Sequence, residues 1–324
     1  MISFIIIGRN EGSKLTKCFN SVLTAIASNK LEQYEIIYVD SNSTDDSIER
    51  AKLFKEIKIF KLTDIYNPAI ARNIGVKESL GDILFLIDGD MEIIQEFLPL
   101  VYSTVNGLKY PFVSGQLKNF NYDKEGNFIY NSWQYKEILS GAKYYSTTGG
   151  IFLIERKLWN LVCGMDNSFK KGEDLDLALR IAKYNYRILR RKEIIANHYT
   201  ISYTSKSRRW QTLFSGDISY SNSFLFRKHI FNPYLYNLMI KTNYTLLALL
   251  FSLLLAGLTG HWIFLIFYFI VLVIKIYKNR KFTSLLGIDL IPFYVIRDLV
   301  IILYFFIPIP NVDKNKIEYF LVKQ

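Results

Sequence analysis

The sequence predicts an α/β domain, a mostly parallel sheet with helices on both faces, followed by transmembrane α-helices. Three observations predict this fold class. Short apolar runs alternate with segments of helical spacing through the first hundred residues, an order typical of parallel sheets. The chain has 324 residues, enough for one large domain or two modest ones. No Asp, Glu, Lys or Arg occurs from Thr242 to Ile274, a stretch long enough to span a bilayer.

The elements of the first hundred residues follow from periodicity and from the residues at their ends. Pro68 suits the first turn of a helix, where its missing N–H is not needed. Asp46 and Glu49 have the spacing of a capping box. Strands are predicted at Ile2–Ile7, Glu35–Val39, Ile57–Phe60 and Asp82–Ile87, and helices at Ser13–Ala27, Asp46–Phe54 and Pro68–Glu78.

The pattern between residues 100 and 210 is less regular. Tyr110–Leu117, Gly150–Ile154 and Ile194–Tyr203 are expected to be strands, the last of them carrying His198. Phe128–Leu139 is expected to be a helix rich in aromatic residues, and Gly172-Glu173-Asp174 opens a helix that runs to about Tyr184. Carboxylates in a first helical turn commonly serve as partners of the helix dipole.

Polar clusters follow three of the predicted strands at the point where each ends. They are Gly8-Arg9-Asn10-Glu11, Asp40 and Asp88-Gly89-Asp90. Because ligands of such sheets bind at the carboxyl ends of the strands, these clusters predict a site there. Two carboxylates one residue apart are costly to bury unpaired, and a hard divalent cation carrying phosphate oxygens suits them.

The formal net charge is +11, and its placement favours a membrane over nucleic acid as partner. Basic residues precede the uncharged stretch, and Lys275, Lys278, Arg280 and Lys281 follow it. Such flanks favour the cytoplasmic side and anionic headgroups, and no nucleic-acid-binding signature is present. Met1 leads directly into a strand with no signal peptide, so the N-terminal part is expected in the cytosol.

Five segments in order resemble family 2 of the inverting, nucleotide-sugar-dependent glycosyltransferases, which have the GT-A fold. The resemblance covers about residues 2 to 210. It rests on SFIIIGRNEGSKLTKCFNSVL, IIYVDSNSTDDS, ARNIGVKESLGDILFLIDGDM, GGIFLIERKLW and FKKGEDLDLALRI. The order of the five segments makes the resemblance specific for the family, although not for a donor or an acceptor.

The resemblance implies a nucleotide-binding set. Arg9 and Glu11 would line the nucleoside pocket, and Asp40 would contact the base or the ribose. Arg72 would lie near the nucleotide, and Asp88 would contact the ribose or a metal-bound water.

The resemblance also implies a metal and catalytic set. Asp90 would bind Mg²⁺ or Mn²⁺ directly, with Asp88 beside it and His198 as a further metal or diphosphate contact. Asp174 would be the general base, supported by Glu173. A carboxylate can take the proton of an attacking hydroxyl, and a divalent cation stabilises the departing diphosphate.

The C-terminal third is expected to embed in a membrane. The predicted domains are a catalytic domain over residues 1–235, membrane helices over 236–310 and a polar tail over 311–324. Gly257 and Gly260 near the middle of the uncharged stretch favour a hairpin over 242–274. A third apolar region, over 285–309, contains Asp289, Pro292, Arg297 and Asp298, so the side of the C-terminus stays open.

Together these observations predict a membrane-anchored, metal-dependent inverting glycosyltransferase, multi-pass in a bacterial-type inner membrane, with its catalytic domain facing the cytoplasm. It would move a sugar from a nucleoside diphosphate sugar to a hydroxyl of a cell-envelope or lipid-linked glycan. One alternative is a polyprenyl-phosphate glycosyltransferase, in which Asp174 would matter less than Asp90. A polymer-extruding synthase, a nucleotidyltransferase and a non-catalytic membrane scaffold with a degenerate domain are the others.

Overall fold

The structure is a computed structural model, and it describes residues 1–123, 125–134, 142–145, 148–202, 206–215, 217–278, 290–308, 312 and 316–324. The chain forms two compact units. The first contains Met1–Ser202 and Pro310–Gln324, and the second contains Tyr203–Ile309. The division therefore falls near residue 202 and not at 235. The sequence predicts that the C-terminal residues form a polar tail, whereas in the structure they belong to the first unit.

One large sheet organises the first unit, and a two-stranded sheet of β6 and β7 lies beside it. The strand order is β10-β12-β8-β11-β4-β1-β2-β3-β13, with β5 paired to β12 and β9 paired to β8. The strands are β1 (Ile2–Gly8), β2 (Tyr34–Asp40), β3 (Ile57–Leu62), β4 (Ile83–Asp88), β5 (Met91–Ile93), β6 (Tyr102–Ser103), β7 (Gly107–Leu108), β8 (Phe112–Tyr122), β9 (Phe128–Trp133), β10 (Ala142–Tyr145), β11 (Phe152–Glu155), β12 (Ile188–Ile201) and β13 (Tyr319–Lys323).

Helices cover both faces of this sheet. On one face α1 packs Leu15, Cys18 and Phe19 against the strands. On the other face α3 contributes Ala69 and Val76, and α6 packs beside it. The helices of this unit are α1 (Ser13–Ser28), α2 (Ser47–Lys52), α3 (Pro68–Lys77), α4 (Leu98–Val101), α5 (Arg156–Leu161) and α6 (Glu173–Ala182).

The four central strands are parallel in the order β3-β2-β1-β4, and they position the site. The connection reverses direction after β3, so β1 and β4 flank the point where ligands of open α/β sheets bind. The register brings the predicted clusters to one edge, because Gly8 pairs with Asp40 and Ile7 pairs with Asp88.

Three local features differ from the sequence-based expectations. Strands β11, β9, β10 and β13 pair antiparallel with their neighbours, so the sheet is mixed and not mostly parallel. Residues 128–133 form strand β9, because pairing to β8 outweighs the helical spacing of the aromatic residues; the rest of the predicted helix, from 135, lies outside the described residues. Asp46 makes no side-chain cap at α2, since its carboxylate accepts from Arg50 Nε at 2.8 Å.

The second unit is helical. Its helices are α7 (Lys206–Phe214), α8 (Asp217–His229), α9 (Pro233–Thr242), α10 (Tyr244–Thr259), α11 (Leu265–Lys278) and α12 (Leu290–Phe305), with a 3-10 turn at Trp262–Phe264. Among the described residues, α9 and α10 reach the length and hydropathy of a membrane span when they are taken together across a bend of 104°, and no helix does so by itself. The part of the third apolar region before residue 290 lies outside the described residues.

Candidate active site

A buried arginine joins the two carboxylate pairs that the sequence singles out. Arg72 projects from α3 and is 2% exposed. Its Nη2 donates to Asp88 Oδ1 at 2.6 Å, and its Nη1 donates to Glu173 Oε1 at 2.7 Å. Asp88 ends β4 and Glu173 begins α6, so this one side chain fixes a strand end against a helix start. Both terminal nitrogens bind protein carboxylates, a bridging position that the resemblance did not imply.

Gly150 leaves the space in which Asp88 lies. A Cβ atom at this position would be 2.0 Å from Asp88 Oδ2, so only glycine permits this placement of the carboxylate. Burial raises the pKa of Asp88, Arg72 opposes that shift, and Asp90 adds to it. Sequence reasoning missed Gly150, although the Gly149-Gly150 pair before β11 marks a close approach of backbone to another group.

Asp90 and His198 form the second part of the site. His198 Nε2 lies 3.2 Å from Asp90 Oδ2, and His198 Nδ1 lies 3.0 Å from Asn119 Oδ1. Burial acts to lower the pKa of His198, but the hydrogen bond and charge of Asp90 raise it above its ordinary value. The backbone places the pair, because β5 pairs Met91 with His198 and the Tyr199 amide donates to the Asp90 carbonyl at 3.0 Å.

Among the described residues, no cation forms a hydrogen bond with Asp174, the second carboxylate of the Glu-Asp pair. Glu173 is held by Arg72, whereas Asp174 Oδ1 accepts from the Leu175 amide at 2.9 Å. Burial, followed by the charge of Glu173, raises the pKa of Asp174 to about 7. A carboxylate with such a pKa can accept a proton near neutral pH.

Glu11 adds a third carboxylate beside Asp88 and Asp90. Burial, and then the charge of Asp90, raises the pKa of Glu11 to about 7. Its Cγ lies 3.3 Å from where a Cβ on Gly89 would be, so Glu11 packs against the turn of the Asp-x-Asp triplet and not at the rim of the site.

The nucleoside side of the edge is formed by hydrogen-bonded loops. Asp40 is fully buried and accepts from the Tyr38 hydroxyl at 2.8 Å and from the Ser43 amide at 2.7 Å. The Asn10 amide donates to Ser43 Oγ at 2.9 Å, which ties the loop after β1 to the loop after β2. The carboxylate of Asp40 thus stabilises the loop that follows β2.

Arg9 lies at the exposed end of the same edge. Its guanidinium carbon is 4.2 Å from the centre of the Tyr66 ring. Tyr66 follows β3, and sequence reasoning missed it because an aromatic residue in a loop carries no motif. The exposed Arg9–Tyr66 pair offers a flat surface on which a base can stack.

The donor set fits a hard divalent cation. Carboxylate oxygens of Asp90 and Asp88 and an imidazole nitrogen of His198 are suitable ligands. Burial, and then the charge of Asp90, raises the pKa values of Glu11 and Asp88. Among the described residues no three His, Cys, Asp or Glu side chains converge tightly enough to hold an ion by themselves. A cation here would complete its shell with water and substrate oxygens.

The structure therefore brings most of the predicted residues into one region and separates the others. Arg72, Asp88, Glu173 and Asp174 form one connected group, and Asp90, Asp88, Glu11 and His198 adjoin it. Asp40 and Arg9 lie further along the same sheet edge, at the ends of β2 and β1.

Two family profiles match consecutive, overlapping parts of the chain. Residues 3–158 match the sequence profile of glycosyl transferase family 2, and residues 132–205 match the N-terminal domain of galactosyltransferase. The first match contains Arg9, Glu11, Asp40, Arg72, Asp88 and Asp90. The second contains Glu173, Asp174 and His198.

Two curated relatives are glycosyltransferases. Glycosyltransferase AglE of Haloferax volcanii is 26% identical over 206 residues, which cover 61% of this chain and 66% of the relative. Glycosyltransferase GlyG of Streptococcus pneumoniae is 27% identical over 134 residues, which cover 40% and 43%. The chain thus spans less than two thirds of the length of these relatives.

Two solved structures share the fold. The mannosyltransferase PcManGT of Pyrobaculum calidifontis, in complex with GDP-Man and Mn²⁺, superposes with a TM-score of 0.58 and 15% identity over 93% of this chain and 86% of its own. TarS 1-349 of S. aureus, in complex with UDP-GlcNAc, gives a TM-score of 0.50 and 16% identity over 75% and 76%.

Proposed function

We propose that this chain, a glycosyltransferase whose residues 3–158 match the profile of glycosyl transferase family 2, transfers a sugar from a nucleoside diphosphate sugar to an acceptor hydroxyl with inversion at the anomeric carbon. The observation that carries the proposal is the Arg72 bridge. Arg72 holds the Asp-x-Asp turn against the Glu-Asp pair through ion pairs with Asp88 and Glu173. Among the described residues, no cation forms an ion pair with Asp174. One site thus contains the carboxylates of Asp88 and Asp90, which suit a metal, and the carboxylate of Asp174, which suits a general base.

The reaction is a single displacement. Asp174 takes the proton of the acceptor hydroxyl as its oxygen attacks the anomeric carbon, and the bond from that carbon to the diphosphate oxygen breaks. The diphosphate leaves with the electron pair. Inversion requires base and leaving group on opposite sides of the sugar ring, and the site offers Asp174 in one half and Asp90 with His198 in the other.

We assign the metal to Asp90, with His198 and Asp88 beside it. A bound Mg²⁺ or Mn²⁺ would neutralise the charge that collects on the departing diphosphate. PcManGT, which shares the fold, was solved with GDP-Man and Mn²⁺. In this chain the Asp90–His198 contact preorganises two ligands, and Arg72 keeps Asp88 oriented toward them.

A hydroxyl acceptor fits better than a lipid phosphate acceptor. A phosphate oxygen is already ionised and needs no base, whereas a hydroxyl needs one with a pKa close to the working pH. Asp174 has a pKa raised to about 7. The polyprenyl-phosphate alternative therefore predicts a small effect of Asp174→Asn, and the hydroxyl acceptor predicts a large one.

The proposal includes a membrane-bound enzyme whose catalytic unit faces the cytoplasm and whose acceptor is a cell-envelope or lipid-linked glycan. Its support is the second unit, in which several large apolar side chains are more than half exposed, among them Leu254 and Leu258 of α10 and Ile266, Ile270 and Val273 of α11. Continuous apolar surface of this extent is typical of lipid or protein contact.

The test is donor cleavage by the purified protein in detergent. Release of nucleoside diphosphate is measured for a panel of nucleoside diphosphate sugars with Mn²⁺ or Mg²⁺, without acceptor and with lipid extracts. Asp90→Asn should abolish metal-dependent cleavage and transfer, and Asp174→Asn should reduce transfer to a small residual rate while donor binding remains. Asp82→Asn, an 87% exposed carboxylate at the start of β4, is the matched control and should match the unmodified protein. Absence of both cleavage and donor-induced thermal stabilisation for every donor would refute the proposal.

A further inference from the structure

Helices α10 and α11 form an antiparallel hairpin. Their pairing is shown by Phe251 and Phe267, whose ring centres are 6.0 Å apart, and by Lys275, whose Nζ donates to the Thr242 carbonyl at 3.2 Å. The chain turns at Gly260, which has a φ of 73°. The base of the hairpin therefore lies at residues 242–244 and 275–278, and its tip lies at 260–264.

The outer surface of this hairpin is apolar from base to tip. Leu258 is 75% exposed, Trp262 70% and Ile263 66%. No charged residue occurs between 242 and 274, whereas Lys241 and Lys278 are exposed at the base. An apolar tip above a basic base is complementary to a bilayer with anionic headgroups.

The middle of helix α12 lies at the base of the hairpin, where Arg297 Nη2 donates to Thr245 Oγ1 at 2.8 Å, and its end is bonded to α8. The Arg227 guanidinium, at the end of α8, donates to the Phe305 carbonyl at 2.9 Å and to the Ile307 carbonyl at 3.0 Å. Ser223 Oγ of α8 donates to the Ile301 carbonyl at 2.7 Å. These bonds hold the end of α12 beside α8, a helix that is not part of the hairpin.

The chain beyond α12 returns to the first unit. Strand β13 pairs antiparallel with β3, with Tyr319 opposite Leu62 and Leu321 opposite Phe60. The connecting sequence after Phe306 contains two prolines and the charged residues Asp313, Lys314 and Lys316. Charged side chains are costly at bilayer depth, so we expect this segment to stay outside the lipid.

We infer that the α10–α11 hairpin inserts into a lipid bilayer and that the chain enters and leaves that bilayer from one side. This rests on the proposed membrane association and addresses the side of the C-terminus, which the sequence leaves open. The described part of α12 does not carry the chain across, and both termini lie on the side of the catalytic unit. The partner of the exposed hairpin surface is thus lipid.

The first test is the side of each terminus. The full chain is expressed in a bacterium with an epitope tag at the N-terminus or the C-terminus, and protease is added to spheroplasts and to inverted membrane vesicles. Both tags should be digested in inverted vesicles and protected in spheroplasts. Digestion of the two tags from opposite sides would overturn the inference.

The second test locates the inserted surface by flotation with phosphatidylethanolamine–phosphatidylglycerol vesicles. Leu258→Lys, at the hairpin tip, should lower the vesicle-bound fraction about 10-fold or more. Leu303→Lys, at a 66% exposed position of α12, is the matched control and should leave binding within about 2-fold. Equal loss in both variants, or an unmodified protein that does not float, would overturn the inference.

Donor cleavage in detergent separates this inference from the proposed reaction. Leu258→Lys should retain it, which also shows that the variant is folded. If the unmodified protein cleaves a donor but does not float, the proposed reaction is supported and the hairpin insertion is refuted. If it floats with both termini on one side but cleaves no donor, the hairpin insertion is supported and the proposed reaction is not.

Discussion

Replacing Arg72 with Gln tests whether the bridge holds the active site together. The substitution removes a buried cation that two carboxylates approach within 2.6 and 2.7 Å. Breaking a buried ion pair costs about 3–5 kcal/mol because the remaining charge is uncompensated. The lower end applies here, since the Asp88 side chain is 30% exposed.

That loss converts into a measurable melting temperature. For a unit of about 200 residues, 1 kcal/mol corresponds to about 2–4 °C, so Arg72→Gln should melt about 6–12 °C lower. The assay is thermal unfolding at pH 8 followed by circular dichroism. Arg50→Gln, which breaks an exposed i,i+4 pair with Asp46, is the control and should cost about 1–2 °C.

The pH dependence gives a second arm. Arg72 opposes the rise that burial causes in the pKa of Asp88, so in the variant that pKa rises further. A carboxyl whose folded pKa lies above its unfolded value is destabilising where it ionises, so the deficit of the variant should grow as the pH rises and shrink toward pH 5. A loss below 2 °C at pH 8, or a deficit that does not change with pH, would refute the reasoning.

Three further predictions concern the same site. Gly150→Ala should lower kcat/KM about 100-fold or more, since its Cβ would displace Asp88 by about an ångström, whereas Gly257→Ala, with no atom within 4 Å of the new Cβ, should have no effect on steady-state kinetics. Because Asp174 must be deprotonated to act as base and its pKa is about 7, kcat/KM should rise with pH through about 7, and the rise should vanish from the residual activity of Asp174→Asn. His198→Gln should raise the Mn²⁺ concentration for half-maximal activity about 10-fold while leaving the melting temperature without metal within about 2 °C; an unchanged metal titration would remove His198 from the metal site.

The sequence was informative where local pattern and burial agree. Strands β1 to β4 and helices α1 and α3 lie within one or two residues of their predicted bounds, because continuous apolar runs and Pro68 leave few alternatives. It failed for Phe128–Trp133, where aromatic spacing suggested a helix and cross-strand pairing with β8 decided for a strand. It also failed for the last residues, because the apolar run over residues 319–322 does not by itself identify the distant β3 edge with which it pairs.

The site divides in the same way. Motif order pointed to Asp88, Asp90, Glu173 and Asp174, since each lies at a strand end or helix start that the periodicity locates. It gave no sign of the partner of Arg72 or of Gly150, because a salt bridge between residues 101 positions apart and a missing Cβ are properties of packing.

By itself the sequence determined the parallel core, the edge where polar residues gather and the apolar stretch from 242 to 274, because each depends on local periodicity and on the burial that it demands. Only the tertiary structure decided that Arg72 forms its ion pair with Glu173 and that, among the described residues, no cation is paired with Asp174. It alone returned the C-terminus to the catalytic sheet as β13. The physical reason is that both depend on contacts between segments far apart in the chain, whose free energy no local pattern encodes.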